Sequence, residues 1–253
     1  NPVTGSGGML IGTVAGVGEG RSAPVRGDRI ASLVSLTLTP LVLYSIAGWD
    51  GRSEQVPAEG YAILFGTGIY AALPADLPDR LSLAVLDVAG APAQVARLAE
   101  AGSRVLVIGG GGKSGLLCLF AARDAGAEAV ALVPTEEEAT HVRRLGFEAI
   151  VADATDPVAA TESGSNGSDL VVNCVNVPGT EGASILLARE GGTVLFFSMA
   201  TSFTAAALGA EGMGRDVRML IGSGYVPGHA ELAMELLRRH DDLRELFESR
   251  YAR

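Results

Sequence analysis

The sequence is poor in positive charge and in cysteine. Its 253 residues include 19 lysines and arginines against 29 aspartates and glutamates, a formal net charge of -10, and Lys113 is the only lysine. Nucleic acids and anionic membranes are bound through basic surfaces, so this balance argues against both and favours a small-molecule partner. The two cysteines, Cys118 and Cys174, each lie in an apolar run, which predicts reduced core thiols in a cytoplasmic protein and not a disulfide framework.

Long apolar runs are also scarce. The longest, residues 30–49, approaches the length of a membrane span, but Pro40 interrupts it and serines and threonines recur along it. Its β-branched residues favour buried strands over a transmembrane helix. With 48% apolar residues overall, the chain can bury a large core, either as one large domain or as two smaller ones.

The composition changes near Pro74. Before it, β segments punctuated by glycine occupy residues 9–43 and 61–73, a pattern that predicts a fragment of an antiparallel barrel. Beyond it, apolar runs alternate with segments of helical periodicity, which predicts βαβ units and a doubly wound parallel sheet. We therefore predict an α/β fold, with a partial barrel domain in residues 1–75 and a parallel-sheet domain in residues 76–253.

Within the second half, helices are predicted in the segments KSGLLCLFAARDAG, EEEATHVRRLG and EGASILLARE, and again from His229 onward. Two pairs of strands are predicted without a helix between them: AIVA with DLVVNCV, and GTVLFFSM with VRMLIGSG. The polar segment ESGSNGS is predicted to be a surface loop.

One glycine pattern lies between a predicted strand and a predicted helix, as a dinucleotide-binding loop does. Gly110, Gly112 and Gly115 form G-x-G-x-x-G directly after the apolar strand RVLVI and directly before a helix. In this setting, glycines allow a tight turn and a close approach of the backbone to a pyrophosphate, which the helix N-terminus then binds. Lys113 and Ser114 complete the predicted cofactor-binding loop. Lys113 has two interpretations. It is a cation that binds the pyrophosphate or a carboxylate of the substrate, or it is a solvated side chain beside the phosphates.

A nucleoside triphosphatase loop is the competing interpretation of this stretch, because it ends in Gly-Lys-Ser. That motif requires glycine where Val107 stands, and it prefers an aspartate at the end of a later strand, where this sequence has Asn173 and Cys174. The stretch therefore favours a dinucleotide over a nucleoside triphosphate.

The choice between NAD and NADP depends on the end of the second strand, about twenty residues beyond the glycine loop. Pro134 lies where an acid would be expected, and Thr135 with Glu138 forms a capping box that begins a helix. The acids Glu136, Glu137 and Glu138 would nevertheless repel a 2′-phosphate, and no basic residue lies among them. The sequence favours NAD, with Thr135 and Glu136 as predicted contacts, and leaves NADP open.

Two further polar loops, residues 176–181 and 198–206, follow strands. In a doubly wound sheet both reach the crevice where ligands bind, so Asn176, Ser198 and Thr201 are predicted to contact the ribose or carboxamide of a nicotinamide. Ordinary polar turns are the alternative explanation for each of these residues.

Longer strings of sequence carry a family resemblance. The segment GTVAGVGEGRSAPVRGDRIASL resembles the medium-chain dehydrogenases/reductases, in which a GroES-like barrel precedes a Rossmann domain. Within that superfamily, the strings NPVTGSGGMLIG, SLTLTPL, AVLDVAGAPAQ, FFSMATSFTAAALGAEG and GHAEL resemble the L-erythro-3,5-diaminohexanoate dehydrogenase family. The resemblance spans nearly the whole chain. It implies NAD(P)-linked oxidative deamination of the 3-amino group in lysine fermentation, giving 5-amino-3-oxohexanoate and ammonium.

The resemblance also bears on metal and on the proton acceptor. Zinc members of the superfamily carry Gly-His-Glu where this sequence has Gly7, Gly8 and Met9, so no catalytic metal is expected there. By the same resemblance Asp87 falls near the nicotinamide. It is our first candidate for the base or for a partner of the substrate ammonium, and a structural helix carboxylate is the alternative.

Three further residues are catalytic candidates. His229 follows the last strand, at the carboxyl edge of the sheet, although Pro-Gly-His also suits the start of a helix. Thr4 and Ser6 lie where zinc relatives hold metal, and they are predicted to receive the substrate. Their segment lacks an initiating methionine, and the resemblance implies an interior loop preceded by roughly eighty to one hundred residues.

Two other functions stay open at this point. One is a zinc-free, NADPH-dependent quinone or enoyl reductase of the same superfamily, which the acids at residues 136–138 disfavour. The other is a non-catalytic Rossmann nucleotide sensor, since the fold can bind a nucleotide without chemistry. A homo-oligomer is expected in any of these cases.

Overall fold

In the computed structural model, residues 8–49, 51, 54–164 and 166–251 are described. The chain packs as two compact units, one formed by Asn1–Asp87 with Arg244–Arg253, the other by Val88–Leu243. This division describes how the residues pack together. It does not test the predicted domain boundary between residues 75 and 76, which stays a prediction.

The first unit contains two small antiparallel sheets. One has three strands in the order β1-β2-β5, and the other is the hairpin β3-β4. The strands are β1 (Ile11–Thr13), β2 (Arg29–Ser32), β3 (Leu41–Ile46), β4 (Ala58–Ala62) and β5 (Tyr70–Ala72). Helix α1 (Asp79–Leu86) follows them, and helix α9 (Asp241–Tyr251) begins in the second unit and ends in the first.

The apolar run at residues 30–49 is only partly buried. Ile30, Ala31 and Ser32 are buried in β2, whereas all six residues of β3 are exposed. The prediction of buried strands is therefore right for β2 and wrong for β3. Within the described residues β3 is hydrogen-bonded to β4 alone, and no buried residue lies in either strand of that hairpin.

The second unit is built on a six-stranded parallel sheet. Its strands are β6 (Arg104–Ile108), β7 (Glu128–Val133), β8 (Glu148–Val151), β9 (Ser168–Asn173), β10 (Ala188–Phe196) and β11 (Val217–Ile221). The order across the sheet is β11-β10-β9-β6-β7-β8, and the pairs are parallel. Counted along the unit, this is the order 6-5-4-1-2-3, which is typical of a Rossmann domain.

Helices cover both faces of this sheet. They are α2 (Gly90–Leu98), α3 (Lys113–Asp124), α4 (Glu136–Arg144), α5 (Pro157–Glu162), α6 (Glu181–Leu187), α7 (Phe203–Met213) and α8 (His229–Arg239). One buried cluster joins alternate sheet residues such as Leu106 and Ile108 to side chains of α5, α6 and α7. Helix α3, which contributes nothing to that cluster, packs against β6, β7, α2 and α8. The predicted α/β fold with a doubly wound parallel sheet is confirmed.

Two helices were absent from the sequence prediction. Helix α5 connects β8 to β9, and it begins where the Asp156 side chain caps the amides of Val158 and Ala159 at 3.0 Å, with Pro157 at the first helical position. Helix α7 connects β10 to β11, so the polar loop predicted to reach residue 206 ends at Ser202. A parallel pair needs a crossover, and Asp-Pro is a helix-start signal that could have located α5. Helix α6 also ends at Leu187, before the predicted residue 190.

No single helix in the described ranges has both the length and the apolar content needed to cross a membrane.

Candidate functional site

The strand order reverses between β6 and β9, the neighbours at the centre of the parallel sheet. Chain connections leave these two strands in opposite directions, which opens a crevice at their carboxyl ends where ligands bind in this class of sheet. The glycine loop follows β6, and residues 174–181 follow β9. The site is therefore described from these two connections outward.

The glycines of the loop have distinct structural reasons. Gly109 has a φ of +80°, a left-handed conformation that favours glycine. A Cβ on Gly110 would lie 2.5 Å from that of Ala131, and a Cβ on Gly115 would overlap the carbonyl oxygen of Gly109. These three positions pack the loop tightly between β7 and α3.

Gly112 differs from those glycines because a Cβ there would meet no steric clash. The nearest atom to a Cβ built there is the Gly109 carbonyl oxygen at 3.5 Å, an ordinary contact. Gly112 is also the exposed N-cap of α3, and as a glycine it has no side chain with which to cap that helix. Lys113 and Ser114 form its first two positions and are partly exposed. An anion can therefore approach the positive end of the α3 dipole at Gly112.

The acids after β7 take separate roles. Thr135 is the N-cap of α4, and its Oγ1 accepts a hydrogen bond from the Glu138 amide at 3.2 Å, as the capping box predicts. Glu136 is exposed and forms an ion pair with Arg143. The Glu138 side chain instead reaches the glycine loop, where its Oε2 lies 2.5 Å from the position of a Cβ on Gly111. The carboxylate beside the loop thus belongs to Glu138 and not to Glu136.

A buried amide organises the connection after β9. The Asn173 Nδ2 donates to Thr180 Oγ1 at 2.7 Å and to Ser184 Oγ at 2.9 Å, while its Oδ1 accepts from the Val175 amide at 3.0 Å. The Asn173 side chain has no exposed surface. Each hydrogen bond fixes part of the loop between β9 and α6, because a buried amide that lost one would be left unsatisfied.

The predicted nicotinamide contacts lie together around this loop. The Ser198 hydroxyl donates to the Asn176 side-chain oxygen at 3.2 Å and accepts from the Ala200 amide at 3.1 Å. The Thr201 amide donates to the Ser198 carbonyl at 3.3 Å. Thr201 Oγ1 is buried, and the described residues give it no hydrogen-bond partner. Asn176, Ser198 and Thr201 thus form one polar group at the carboxyl ends of β9 and β10.

A buried carboxylate holds the same two loops. Glu181 is only 4% exposed, and its Oε1 accepts a hydrogen bond from the Ser202 amide at 2.7 Å. Ser202 in turn caps α7 by accepting from the Ala205 amide. The connections after β9 and β10 are therefore joined by Glu181 as well as by the contact between Ser198 and Asn176.

His229 is the first residue of α8 and is buried. Burial lowers the pKa of its imidazole, and the hydrogen bond to the Val226 backbone and the charge of Glu231 oppose that shift only in part. The Tyr225 ring packs edge-on against it, with the ring centroids 5.5 Å apart. At neutral pH the buried ring is therefore uncharged and able to accept a proton.

The remaining candidates belong to the first unit. Asp87 is the C-cap of α1, is exposed, and donates its amide to the Leu83 carbonyl at 3.0 Å. Thr4 and Ser6 lie outside the described residues. The described ranges contain no cluster of three or more histidine, cysteine, aspartate or glutamate side chains that could hold a metal ion.

Several of these residues escaped the sequence prediction. Gly109 is signalled by the run of four glycines, but only its backbone angle distinguishes it from its neighbours. Glu138 was predicted as a capping residue and as one of three acids that repel a 2′-phosphate, but not as the acid nearest the glycine loop, and Asn173 and Glu181 have no local sequence signal. Glu138 and Glu181 contact segments that are distant along the chain, whereas Asn173 holds the connection that follows its own strand.

Two family models match parts of the chain, and solved structures share its fold. Residues 1–74 match the model of the L-erythro-3,5-diaminohexanoate dehydrogenase N-terminal domain, and residues 115–226 match that of the zinc-binding dehydrogenases. Among solved structures, an alcohol dehydrogenase superfamily protein from Novosphingobium aromaticivorans is similar in fold, with a TM-score of 0.58 at 24% identity over 94% of this chain and 67% of its own. A mycobacterial protein in complex with NADPH has a TM-score of 0.63 at 22% identity, covering 96% of this chain and 71% of its own.

Two curated relatives are more similar in sequence. The L-erythro-3,5-diaminohexanoate dehydrogenase of Acetoanaerobium sticklandii is 48% identical over 99% of this chain and 77% of the relative. The protein of the same name from Fusobacterium nucleatum is 46% identical over 99% of this chain and 76% of the relative. The chain therefore belongs to the L-erythro-3,5-diaminohexanoate dehydrogenase family of the medium-chain dehydrogenase/reductase superfamily.

Proposed function

We propose that this protein catalyses the NAD(P)-dependent oxidative deamination of L-erythro-3,5-diaminohexanoate to 5-amino-3-oxohexanoate and ammonium, as lysine fermentation requires. The observation that carries the proposal is the 48% identity to a dehydrogenase of that name along 99% of the chain. That similarity favours an oxidoreductase over a non-catalytic nucleotide sensor. It also favours amine oxidation over quinone or enoyl reduction.

The residues present fit a dinucleotide. Gly112 is the exposed N-cap of α3, and a pyrophosphate would be held there by backbone amides with Lys113 and Ser114 beside it. Asn176, Ser198 and Thr201 offer hydroxyl and amide groups for the nicotinamide half, and the buried Thr201 Oγ1 gains a partner if it contacts the cofactor. When bound, the nicotinamide supplies the hydride acceptor.

The finer choice of cofactor rests on Glu138. Its carboxylate lies over Gly111, beside the loop that would hold the pyrophosphate, whereas Glu136 is paired with Arg143. We propose that the charge of Glu138 disfavours the additional phosphate of NADP and that NAD is the preferred cofactor. Glu136 and Thr135 then act on α4, through an ion pair and a cap, more than on the ribose.

Amine oxidation requires removal of a proton from the substrate ammonium before the hydride leaves C3. Asp87 is proposed to accept that proton at its carboxylate or to pair with the ammonium, and His229 is the second candidate because its buried ring is neutral. Thr4 and Ser6 are proposed to bind the substrate. Loss of the hydride leaves a carbon–nitrogen double bond, and water converts it to the ketone and ammonium.

The proposal is tested by adding L-erythro-3,5-diaminohexanoate and NAD to the complete protein and measuring both reduced cofactor and ammonium. We expect equal amounts of the two products, and none with lysine as a control substrate. Tight NAD binding without turnover would support the nucleotide sensor. Oxidation of NADPH by a quinone or an enoyl compound, with no activity on the diamine, would support the reductase. Light scattering of the same sample tests the proposed homo-oligomer.

A further inference from the structure

Cys118 and Cys174, the only cysteines of the sequence, lie next to each other although 56 positions separate them. Their Sγ atoms are 4.0 Å apart. Cys118 is fully buried in α3, the helix that begins at the glycine loop, whereas Cys174 follows β9 and is partly exposed. Cys174 is therefore the more exposed of the two residues, and the Cys118 sulfur lies within reach of whatever forms on the Cys174 sulfur.

From this juxtaposition we propose that Cys118 and Cys174 form a reversible disulfide under peroxide and that closing it weakens nucleotide binding. The second half of the proposal rests on the nucleotide site of the proposed function. The first half rests only on the two thiols.

Oxidation follows a defined order. Hydrogen peroxide oxidises the accessible Cys174 thiol to a sulfenic acid and is itself reduced to water. The Cys118 sulfur then bonds to the Cys174 sulfur, and the sulfenic hydroxyl leaves with the Cys118 proton as a second water molecule. Burial raises the pKa of the Cys118 thiol, with its hydrogen bond to Cys174 as a smaller cause, so Cys118 stays protonated and does not react first.

The movement needed to close the bond falls on Cys174. A disulfide requires the sulfurs to be about 2.05 Å apart, so the two sulfur atoms must approach each other by about 2 Å. Cys118 is held in a helix whose neighbouring residues 115–122 are buried, whereas Cys174 begins a loop. Displacement of a fully packed helix would open voids in the core, which is costlier than displacement of a loop.

That loop borders the nucleotide site. The Cys174 amide donates to the Ile108 carbonyl at 3.0 Å, immediately before the glycine loop. A Val175 methyl carbon lies 2.9 Å from the place of a Cβ on Gly109, so the two loops are already in close contact. Asn176, two residues on, contacts Ser198. A shift of Cys174 therefore disturbs both the glycine loop and the polar group predicted to contact the nicotinamide.

The experiment compares reduced and peroxide-treated protein by intact mass, free-thiol titration and NAD affinity. We expect the oxidised chain to lose two hydrogen atoms and both free thiols as a monomeric species, and to recover with dithiothreitol. NAD binding should weaken about tenfold, as expected when one polar contact is lost. Cys174→Ser should keep its NAD affinity under peroxide. Cys118→Ala should gain oxygen atoms at Cys174 without closing a disulfide.

Several results would overturn the proposal. Retention of both thiols, or cross-linking between chains, refutes closure of the pair, and a disulfide that leaves NAD affinity unchanged refutes its link to the nucleotide site. If Cys118→Ala does not fold, the wild-type mass and the Cys174→Ser variant still decide the outcome. If reduced protein fails to bind NAD, the proposed function and the link fail together, while the mass still reports whether the pair closes.

Discussion

Strand β6 of the second unit and strand β3 of the first are both short apolar runs, RVLVI and LVLYSI, but their surroundings differ. Four of the five β6 residues are fully buried, whereas every β3 residue is exposed. Strand β6 lies between two parallel neighbours, with helices on both faces of its sheet, and β3 pairs with β4 alone in the described ranges. Apolar composition predicts a strand, but crossover helices decide whether both of its faces are buried.

The largest expected effect tests this contrast directly with one substitution in each strand. Leu106 in β6 has no exposed surface, and Leu43 in β3 is 48% exposed. Leu106→Ala should lower the free energy of unfolding by about 2 to 5 kcal/mol, because it removes contacts and leaves a cavity. Leu43→Ala should change it by less than about 0.5 kcal/mol. Urea unfolding followed by circular dichroism measures both, and equal losses would contradict the contrast in burial.

Within the second unit, the glycine loop allows a finer version of the same test. Gly115→Ala forces a methyl group into the Gly109 carbonyl oxygen, whereas Gly112→Ala makes only an ordinary contact with that oxygen, at 3.5 Å. We expect the first substitution to cost about 1 to 3 kcal/mol of stability and to abolish NAD binding. The second should keep the melting temperature and weaken NAD binding alone. Calorimetric titration and thermal unfolding separate the two effects, and equal stability losses would show that Gly112 also packs against protein.

The second unit also contains a buried histidine whose pKa is shifted. In the second unit, burial lowers the folded-state pKa of His229, so the unfolded chain binds more protons wherever pH lies between the two pKa values. The resulting stability is present above the unfolded pKa of about 6.5 and is lost as pH falls through the folded pKa. His229→Gln should make the thermal unfolding midpoint depend less on pH in that acidic window. An unchanged pH dependence in the variant would assign it to other groups.

The smallest effect concerns the two acids at the start of α4. Glu138→Gln should raise the affinity for NADP relative to NAD by about two- to tenfold, since it removes a negative charge beside the glycine loop. Glu136→Gln is the matched control, because that side chain is exposed and paired with Arg143. Fluorescence titration with both cofactors measures the ratio. A larger change in the Glu136 variant would restore the assignment made from sequence.

The sequence prediction succeeded where its signals were contiguous in the chain and failed where the structure depends on what packs against a segment. Strand β6, the glycine loop and α3 are contiguous, and their order alone indicated a dinucleotide site. Helix α7 was missed because residues 203–213, FTAAALGAEGM, have apolar and small residues all round and little periodicity. The exposure of β3 was missed because an apolar run carries no information about what covers it.

The candidate site shows the same limit. Asn176, Ser198 and Thr201 were proposed from their positions after strands, and parallel strands do bring their carboxyl ends together. The choice of Glu136 over Glu138 had no such support, because three consecutive helical residues point in directions about 100° apart. Only the packing of α4 on β7 and β8 decides which of them reaches Gly111.

The sequence by itself determined the α/β class and the family resemblance, and it predicted a dinucleotide loop and a small-molecule partner, because these depend on periodicity, composition and contiguous motifs. Only the tertiary structure decided that Glu138 lies over Gly111, that Asn173 and Glu181 order the two loops, and that Cys118 meets Cys174 at 4.0 Å. Apart from the hydrogen bonds of Asn173, those contacts join residues far apart in the chain. They exist because the sheet places β9 between β10 and β6, with β7 on the other side of β6, and that order is encoded by packing of the whole unit and not by any local pattern.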